Sequence, residues 1–258
     1  MIKILNDYFE KNNISYVLIG ALVPVFMIDF KEKNGVGYGI RPTYDIDYSA
    51  LVNSWSEYRR IKEELIARGF KVKKSEPEHR LFFNDVAVDI VPYGDNLLED
   101  NILVWPKSGH QMSMVGFDIV FQHAQQVKVS ETLTISTIPI FLSVYTKMIA
   151  FLDRHSQNDL MDIFYMLNHY EEISVSNRRF DLFEIEGIYY ENSGAYLVGL
   201  DLKKVLSSQM FKSILSFFNF IDDPDNTILY EIARKSNQKP LELIDLIIAF
   251  KKGLGIKS

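Results

Sequence analysis

The feature that most constrains this chain is a pair of β-rich segments joined by two turn-forming residues. Residues 80–83 and 86–91 are rich in branched and aromatic side chains, and Asn84-Asp85 lies between them. Asn and Asp tolerate the left-handed conformation that a two-residue hairpin turn requires. The pattern predicts a β-hairpin, and the strongly apolar second strand predicts a position inside a larger sheet.

Around this hairpin, the first half of the chain alternates helical and strand patterns. Apolar spacing predicts helices over residues 2–11, 21–30 and 54–69, and strands over residues 16–19, 45–52 and 70–74. A loop is predicted over residues 31–39, which contain three glycines. These elements indicate a mixed α/β or α+β sheet of about four or five strands flanked by helices, and together with the mainly helical second half of the chain they predict an α+β fold.

The second half of the chain is mainly helical. Strand character persists over residues 127–138, and helical periodicity follows over residues 141–152, 158–170, 194–206, 210–220, 227–235 and 241–251. We predict two domains, a sheet-based one over residues 1–115 and a mainly helical one over residues 116–258.

Composition removes several classes of protein. The chain has no cysteine, which excludes a disulfide scaffold, a thiol nucleophile and a cysteine-ligated metal site. The net charge of −6 argues against a protein whose whole surface binds nucleic acid. The lysines at positions 71, 73 and 74 keep an RNA-binding module open as an alternative.

The apolar segments predict neither secretion nor membrane insertion. The first ten residues carry charged side chains and lack the apolar core of a signal peptide. The longest apolar stretch, residues 17–28, is shorter than the roughly 20 residues that a membrane span needs. We expect a cytoplasmic protein with no membrane partner.

Two aspartates alternate along the predicted strand 45–52. Asp45 and Asp47 project from the same face, because side chains on a strand alternate, and Ile46 projects from the other face. Their charges repel unless a cation or solvent lies between them. Magnesium prefers one or two carboxylates together with substrate phosphates. The pair predicts either a magnesium site or an ordinary solvated strand face.

A third aspartate lies on the apolar strand of the hairpin. A buried, unpaired carboxylate is costly, so Asp89 either faces solvent or serves a site. If this strand pairs beside residues 45–48, three carboxylates converge. Three such groups can hold two divalent ions and support in-line transfer at phosphorus. We therefore expect a two-ion Mg²⁺ site at Asp45, Asp47 and Asp89.

A glycine turn precedes the aspartates. The strand over residues 16–19 ends at Gly20, and Ala21 begins the following helix. Such a turn presents free backbone N–H groups and the positive end of a helix, which favour a triphosphate. Any tight strand-to-helix turn can use a glycine, so this signal gains weight only beside the carboxylates.

Together these residues form a pattern that resembles a known family. The segments that carry it are Leu18-Ile19-Gly20-Ala21, Arg41-Pro42-Thr43-Tyr44-Asp45-Ile46-Asp47 and Val88-Asp89-Ile90-Val91-Pro92-Tyr93-Gly94. They resemble the nucleotidyltransferases of the DNA polymerase beta superfamily, above all the bacterial abortive-infection (AbiEii-like) toxin branch. The downstream segments Thr146-Lys147-Met148-Ile149-Ala150, Asp153-Arg154 and Asn158-Asp159-Leu160-Met161-Asp162 are similar to the Lys-x-x-Ala, Arg and Lys-Asp-x-x-Asp motifs of that branch. The resemblance covers about residues 15 to 170.

The resemblance implies a nucleotidyltransferase fold and a reaction. The reaction is Mg²⁺-dependent transfer of a nucleoside monophosphate from a nucleoside triphosphate to an acceptor hydroxyl, with pyrophosphate leaving. The acceptor stays open among a tRNA, a protein and a small molecule. A role as the toxin of a phage-defence or toxin–antitoxin pair is compatible with it, with an antitoxin protein as partner.

The resemblance also implies residue roles. Asp45, Asp47 and Asp89 are the implied metal ligands, with Asp89 close enough to the acceptor to help deprotonate it. The implied nucleotide contacts are Gly20, Ala21, Arg41, Thr43, Asp159 and Asp162. Lys147 is implied to offset phosphate charge, with Asp159 or Asp162 orienting either the nucleotide or this lysine.

The downstream residues and two departures keep alternatives open. Lys147 lies off the apolar stripe of its helix, so it either is solvated or faces a cleft, and the two aspartates suit a solvated helix face as well. Ala21 replaces the usual second glycine or serine, and Asn158 replaces a lysine. A catalytically weak relative that binds a nucleotide or a partner protein is therefore the alternative function.

Overall fold

The computed structural model describes residues 1–28, 41–171, 178–182 and 184–256. The chain forms two compact units. The sheet unit comprises Met1–Val23 and Pro42–Ile138, and the helical unit comprises Pro24–Arg41 and Pro139–Ser258. The loop predicted over residues 31–39 lies outside the described residues. The fold is α+β, as predicted.

The sheet unit contains two sheets and the helices that pack on them. In chain order its elements are α1 (Ile2–Lys11), β1 (Tyr16–Ile19), β2 (Asp45–Leu51), α3 (Trp55–Ala67), β3 (Arg80–Phe83), β4 (Val86–Tyr93), β5 (Leu98–Glu99), β6 (Ile102–Val104), β7 (Gln111–Ser113), α4 (Phe117–Gln122), β8 (Gln125–Ser130) and β9 (Leu133–Thr137). Helix α2 (Leu22–Met27) crosses the division between the units. The larger sheet has six strands in the order β3-β4-β2-β1-β9-β8, and β5-β6-β7 form a small second sheet.

The larger sheet is mixed. Strand β4 pairs parallel to β2, β1 pairs parallel to β9, and the other neighbours are antiparallel. The predicted hairpin is confirmed as β3 and β4, and Asn84 and Asp85 have φ angles of 48° and 63°. Both values lie in the left-handed region that a tight hairpin turn requires. Strand β4 is an interior strand, as its apolar composition indicates.

Three parts of the sheet unit differ from the sequence prediction. Residues 70–74, all described, make a single bridge between Lys71 and Phe82 and are not a strand. The small second sheet was not predicted, because its strands are only two or three residues long. Residues 127–138 lie mostly in β8 and β9, a hairpin that joins the larger sheet through β1. The sheet unit therefore extends to Ile138, and Pro24–Arg41 belong to the helical unit, whereas the predicted boundary lies at residue 115.

Local signals account for the position of helix α3. The Ser54 hydroxyl accepts a hydrogen bond from the backbone N–H of Glu57 at 3.2 Å, which caps the first turn of the helix. The helix buries one face through Tyr58, Ile61 and Leu65. The Tyr58 hydroxyl donates a hydrogen bond to the backbone oxygen of Ile90 at 2.8 Å, which holds α3 on strand β4.

The helical unit confirms the helices predicted after residue 139. They are α5 (Ile140–Arg154), α6 (Gln157–His169), α7 (Tyr190–Lys203), α8 (Ser208–Ile221), α9 (Ile228–Ser236) and α10 (Pro240–Leu254). Helices α7 and α10 approach closely, since a Cβ atom at Gly199 or Gly253 would lie 2.5 or 2.1 Å from a backbone oxygen of the opposite helix. Within the described part of the chain, no helix combines the length and the apolar character needed to cross a membrane.

Candidate metal centre

The pairing of β2 with β4 brings three carboxylates together. Asp45 and Asp47 share one face of β2, while Ile46, on the opposite face, is buried. The parallel register aligns Asp47 with Asp89 on β4. One oxygen atom from each of Asp45, Asp47 and Asp89 lies within 4.8 Å of the others. The predicted convergence of these residues, which we call the acidic triad, is confirmed.

The acidic triad fits a hard divalent cation. Its donors are carboxylate oxygens, the ligands that Mg²⁺ binds at about 2.0–2.1 Å. Two oxygens on opposite sides of one such ion are separated by about 4 Å, twice that distance. The triad oxygens lie within 4.8 Å of one another, which is close to that separation. The three residues could therefore hold Mg²⁺.

A threonine orients the first aspartate. The Thr43 hydroxyl donates a hydrogen bond to Oδ1 of Asp45 at 2.7 Å. The Asp45 side chain is 38% exposed, so this bond restricts a carboxylate that solvent would otherwise leave mobile. The sequence analysis expects Thr43 to contact the nucleotide. That contact stays a prediction, whereas the bond to Asp45 is a role that only the structure reveals.

The glycine turn lies directly against the second aspartate. Gly20 has a φ angle of +77°, and a Cβ atom added to it would lie 2.0 Å from Oδ2 of Asp47. Strand pairing causes this approach, since Ile19 on β1 is in register with Asp47 on β2. Glycine is required here both for its backbone conformation and for the space that its missing side chain leaves. Ala21, the next residue, is buried.

An arginine that the sequence analysis did not single out binds the third aspartate. The Arg80 guanidinium donates two hydrogen bonds to Asp89, from Nε to Oδ1 at 2.8 Å and from Nη2 to Oδ2 at 2.7 Å. Its Nη2 also lies 3.8 Å from Oδ2 of Asp45. These hydrogen bonds to Asp89 raise the pKa of Arg80 above its ordinary value. A signal was available, because a two-residue hairpin turn at Asn84-Asp85 puts position 80 opposite position 89.

A histidine borders the same carboxylate. Nε2 of His79 lies 3.7 Å from Oδ2 of Asp89, and the imidazole packs at 5.0 Å between ring centroids against Trp105. Burial lowers the pKa of His79 below its ordinary value of 6.5, so the ring is neutral at pH 7. Of these two basic residues beside Asp89, His79 and Arg80, it is therefore Arg80 that carries a positive charge at pH 7.

The downstream predicted residues form a second charged group, in the helical unit. Nζ of Lys147 lies 3.0 Å from Oδ1 of Asp159 and 2.7 Å from Oδ2 of Asp162. Arg154 forms two hydrogen bonds of 2.7 Å with Asp159, and Arg41 forms two of 2.9 Å with Asp162. We call these five residues the ionic cluster. It brings together four of the predicted site residues: Arg41, Lys147, Asp159 and Asp162.

Burial in the ionic cluster contradicts the solvated alternative. Lys147 is 5% exposed, Asp159 0% and Asp162 6%. Burial acts to lower the pKa of Lys147, but the adjacent carboxylates of Asp162 and Asp159 outweigh it and raise that pKa, so the ammonium group stays charged. The lysine is thus oriented by both aspartates. A contact of any of these residues with a nucleotide stays a prediction.

No protein-family model matches the chain, and no curated protein matches it in sequence. The resemblance to nucleotidyltransferases therefore rests on the motifs themselves and on the convergence of the acidic triad.

Proposed function

We propose that this protein is a Mg²⁺-dependent nucleotidyltransferase that transfers a nucleoside monophosphate from a nucleoside triphosphate to an acceptor hydroxyl. One observation carries the proposal, the convergence of Asp45, Asp47 and Asp89 on one face of two parallel strands. Three carboxylates this close repel one another, which favours binding of a cation among them. Their oxygen chemistry suits Mg²⁺ with phosphate as a co-ligand. The order of the motifs along the chain supports the same reaction.

The reaction balances as a displacement at phosphorus. The acceptor hydroxyl oxygen forms a bond to the α-phosphorus, and the bond from that phosphorus to the oxygen bridging to the β-phosphate breaks. Pyrophosphate leaves with the electron pair of that bond. A bound Mg²⁺ supplies charge stabilisation on the phosphoryl oxygens. The hydroxyl proton passes to a carboxylate, and Asp89 is the residue that the family resemblance favours for this step.

The residues around the triad have supporting roles in this proposal. Thr43 orients Asp45 through its hydroxyl, and Gly20 leaves the space in which the Asp47 carboxylate lies. Both contacts restrict the rotation of a carboxylate before any ligand binds. A site whose ligands are already oriented loses less conformational entropy when it binds an ion. The acceptor is a tRNA, a protein or a small molecule, and a toxin role with an antitoxin partner belongs to the same proposal.

One observation favours the alternative, a relative that binds a nucleotide or a partner without turnover. Both carboxylate oxygens of Asp89 already accept hydrogen bonds from Arg80. A carboxylate occupied in this way has fewer free lone pairs to offer to a metal ion. Under this alternative, nucleotide binding is detected by calorimetry and no product forms.

The deciding experiment measures label transfer. The protein is incubated with each of the four nucleoside triphosphates labelled at the α-phosphate, Mg²⁺ and a cell extract as the source of acceptors. We expect a labelled product that disappears with a chelator. The Asp47→Asn and Asp89→Asn variants should reduce transfer by about 100-fold or more, because each removes a metal-ligand charge.

A matched control keeps the charge change and moves it away from the triad. The control variant is Asp85→Asn. Asp85 is exposed in the turn of the same hairpin, and asparagine tolerates its positive φ. This variant should keep full transfer activity. The proposed function would be refuted if the wild type showed no label transfer and no nucleotide binding. Binding without transfer would favour the alternative.

A further inference from the structure

The strongest feature left unused by the proposed function is the pairing of Arg80 with Asp89. The guanidinium forms two hydrogen bonds of 2.7 and 2.8 Å with a carboxylate that is itself a triad member. Asp89 is 6% exposed, so little water competes for this pair. Paired hydrogen bonds of this kind are among the strongest that proteins form. A metal ion that recruits Asp89 has to compete with a well-made contact.

We propose that Arg80 is a positioning residue that holds Asp89 in the metal-free protein and sets the affinity of the acidic triad for divalent cations. This inference rests on the proposed function, since it takes the triad as the metal site. In this proposal, Asp89 has two alternative partners, Arg80 and the metal ion. The guanidinium orients the carboxylate when no metal is bound, and a divalent ion takes over one of its oxygens when it arrives.

Charge compensation explains why the metal-free site is stable with Arg80 present. Three carboxylate oxygens within 4.8 Å of one another repel strongly when all three groups are ionised. Arg80 reaches two of the three groups, with Nη2 at 2.7 Å from Asp89 and at 3.8 Å from Asp45. The same positive charge opposes a cation that enters between them. Arg80 therefore stabilises the empty site and weakens its hold on a metal.

A second carboxylate gives the displaced guanidinium a partner. Nη1 of Arg80 lies 3.5 Å from Oε2 of Glu76, on the side of the guanidinium that does not bind Asp89. When a metal takes an oxygen of Asp89, Arg80 can shift toward Glu76 and stay paired. The exchange then leaves no buried charge uncompensated. Mg²⁺ sites commonly combine one or two carboxylates with substrate phosphates, so we expect the phosphates of a bound nucleotide to supply further oxygen ligands and to tighten metal binding.

The test is the affinity of the metal-binding site for Mn²⁺, measured by electron paramagnetic resonance without nucleotide. We expect Arg80→Gln to bind Mn²⁺ about tenfold more tightly than the wild type, because a charge near the ion is removed. Arg80→Lys keeps the charge and loses the paired hydrogen bonds, so we expect a smaller gain of about threefold. The Arg80→Lys variant also keeps the test valid if Arg80→Gln fails to fold.

Arg60→Gln is the matched control. Arg60 lies on α3 with 63% of its side chain exposed and its Nε 4.0 Å from Glu64, so the substitution makes the same charge change at the surface of the same unit. Its Mn²⁺ affinity should equal that of the wild type. Melting in a chelator adds an independent readout: Arg80→Gln should be less stable than the wild type without metal and should gain more from Mn²⁺.

The outcomes separate the two proposals. Wild-type protein that binds Mn²⁺, with both Arg80 variants binding equally or more weakly, would overturn the role of Arg80 and leave the proposed function intact. Equal or weaker binding by the variants is what we would expect if Arg80 had only a structural role, because local disorder weakens metal binding. If neither the wild type nor the variants bind Mn²⁺, the metal site itself fails, and both proposals fail with it.

Discussion

The acidic triad and the ionic cluster are built from the same kinds of side chain and differ in charge balance. In the ionic cluster, two buried aspartates are bound by one lysine and two arginines. In the triad, the guanidinium of Arg80 is hydrogen-bonded to Asp89 and lies 3.8 Å from Asp45. The first arrangement supplies its own counter-charges. The second brings three carboxylates together and offers oxygen atoms suited to an ion.

This difference shows which carboxylates are available for chemistry. A buried carboxylate that is fully paired lowers the free energy of the fold relative to an unpaired one and is expensive to disturb. A partly exposed carboxylate beside others of like charge contributes little or negatively to stability. Asp45 and Asp47 belong to the second kind, whereas Asp89 is buried and paired with Arg80. This contrast with the ionic cluster supports the proposal that the triad is the metal site.

The largest expected effect is on the free energy of unfolding, compared between an Asp→Asn substitution in the ionic cluster and one in the triad. Asp162→Asn removes a charge that pairs with both Lys147 and Arg41, and we expect the free energy of unfolding to fall by about 3 kcal/mol, as for other broken buried pairs. Asp45→Asn relieves repulsion within the triad, and we expect a change within about 0.5 kcal/mol in metal-free protein.

Urea denaturation in the presence of a chelator measures both variants. Each serves as the matched control of the other, because the chemical change is identical and only the charge balance around it differs. Equal destabilisation by the two substitutions would contradict the distinction between the regions. Added Mg²⁺ should stabilise Asp162→Asn as it does the wild type and should have little effect on Asp45→Asn.

An intermediate effect is expected from the glycine beside the triad. Gly20→Ala places a methyl group against the Asp47 carboxylate and also strains a backbone with φ +77°. Gly109→Ala strains a similar backbone, with φ +66°, where no atom lies within 4 Å of the added methyl group. We expect Gly20→Ala to be less stable than this control by about 1–3 kcal/mol, a typical cost of overpacking.

The change in melting temperature on adding Mg²⁺ is a second measurement on the Gly20→Ala and Gly109→Ala variants. Thermal melting with and without Mg²⁺ should show stabilisation of Gly109→Ala by the ion and none of Gly20→Ala, because the displaced Asp47 carboxylate no longer reaches a shared ion. Equal melting temperatures and equal Mg²⁺ responses in the two variants would mean that the approach of Gly20 to Asp47 has no consequence.

The smallest expected effect is the acid dependence of the ionic cluster. Burial acts to raise the pKa of Asp159, but the hydrogen bonds from Arg154 and the charge of Lys147 outweigh it, so this pKa lies below its ordinary value of 3.8. A lowered pKa contributes stability that is present above 3.8 and is lost as the pH falls through the folded-state value. Urea denaturation from pH 6 downward should show this loss in the wild type.

The Asp159→Asn variant tests that assignment. It cannot take up a proton at position 159, so the decline of its stability below pH 4 should be shallower than that of the wild type. The slopes are compared, since the substitution also lowers stability at every pH. Parallel slopes would mean that Asp159 is not responsible for the acid dependence.

Much of the sheet unit could be predicted because its signals are local. The two-residue turn sets the register of the hairpin, and with it the position of Arg80 opposite Asp89. Alternation along β2 sets the common face of Asp45 and Asp47. The predicted strand at residues 70–74 was wrong, since β-rich residues without a partner strand along their whole length form only the bridge at Lys71.

What the sequence alone determined was most of the longer helices and strands, the β3–β4 hairpin and the common face of Asp45 and Asp47, because these depend on residues a few positions apart. Only the tertiary structure decided that β4 lies parallel beside β2 and that Lys147 is buried between two aspartates. Both depend on contacts between distant segments, such as Arg41 with Asp162, separated by 121 positions. Local periodicity carries no information on such contacts, since it is the packing of whole elements that selects them.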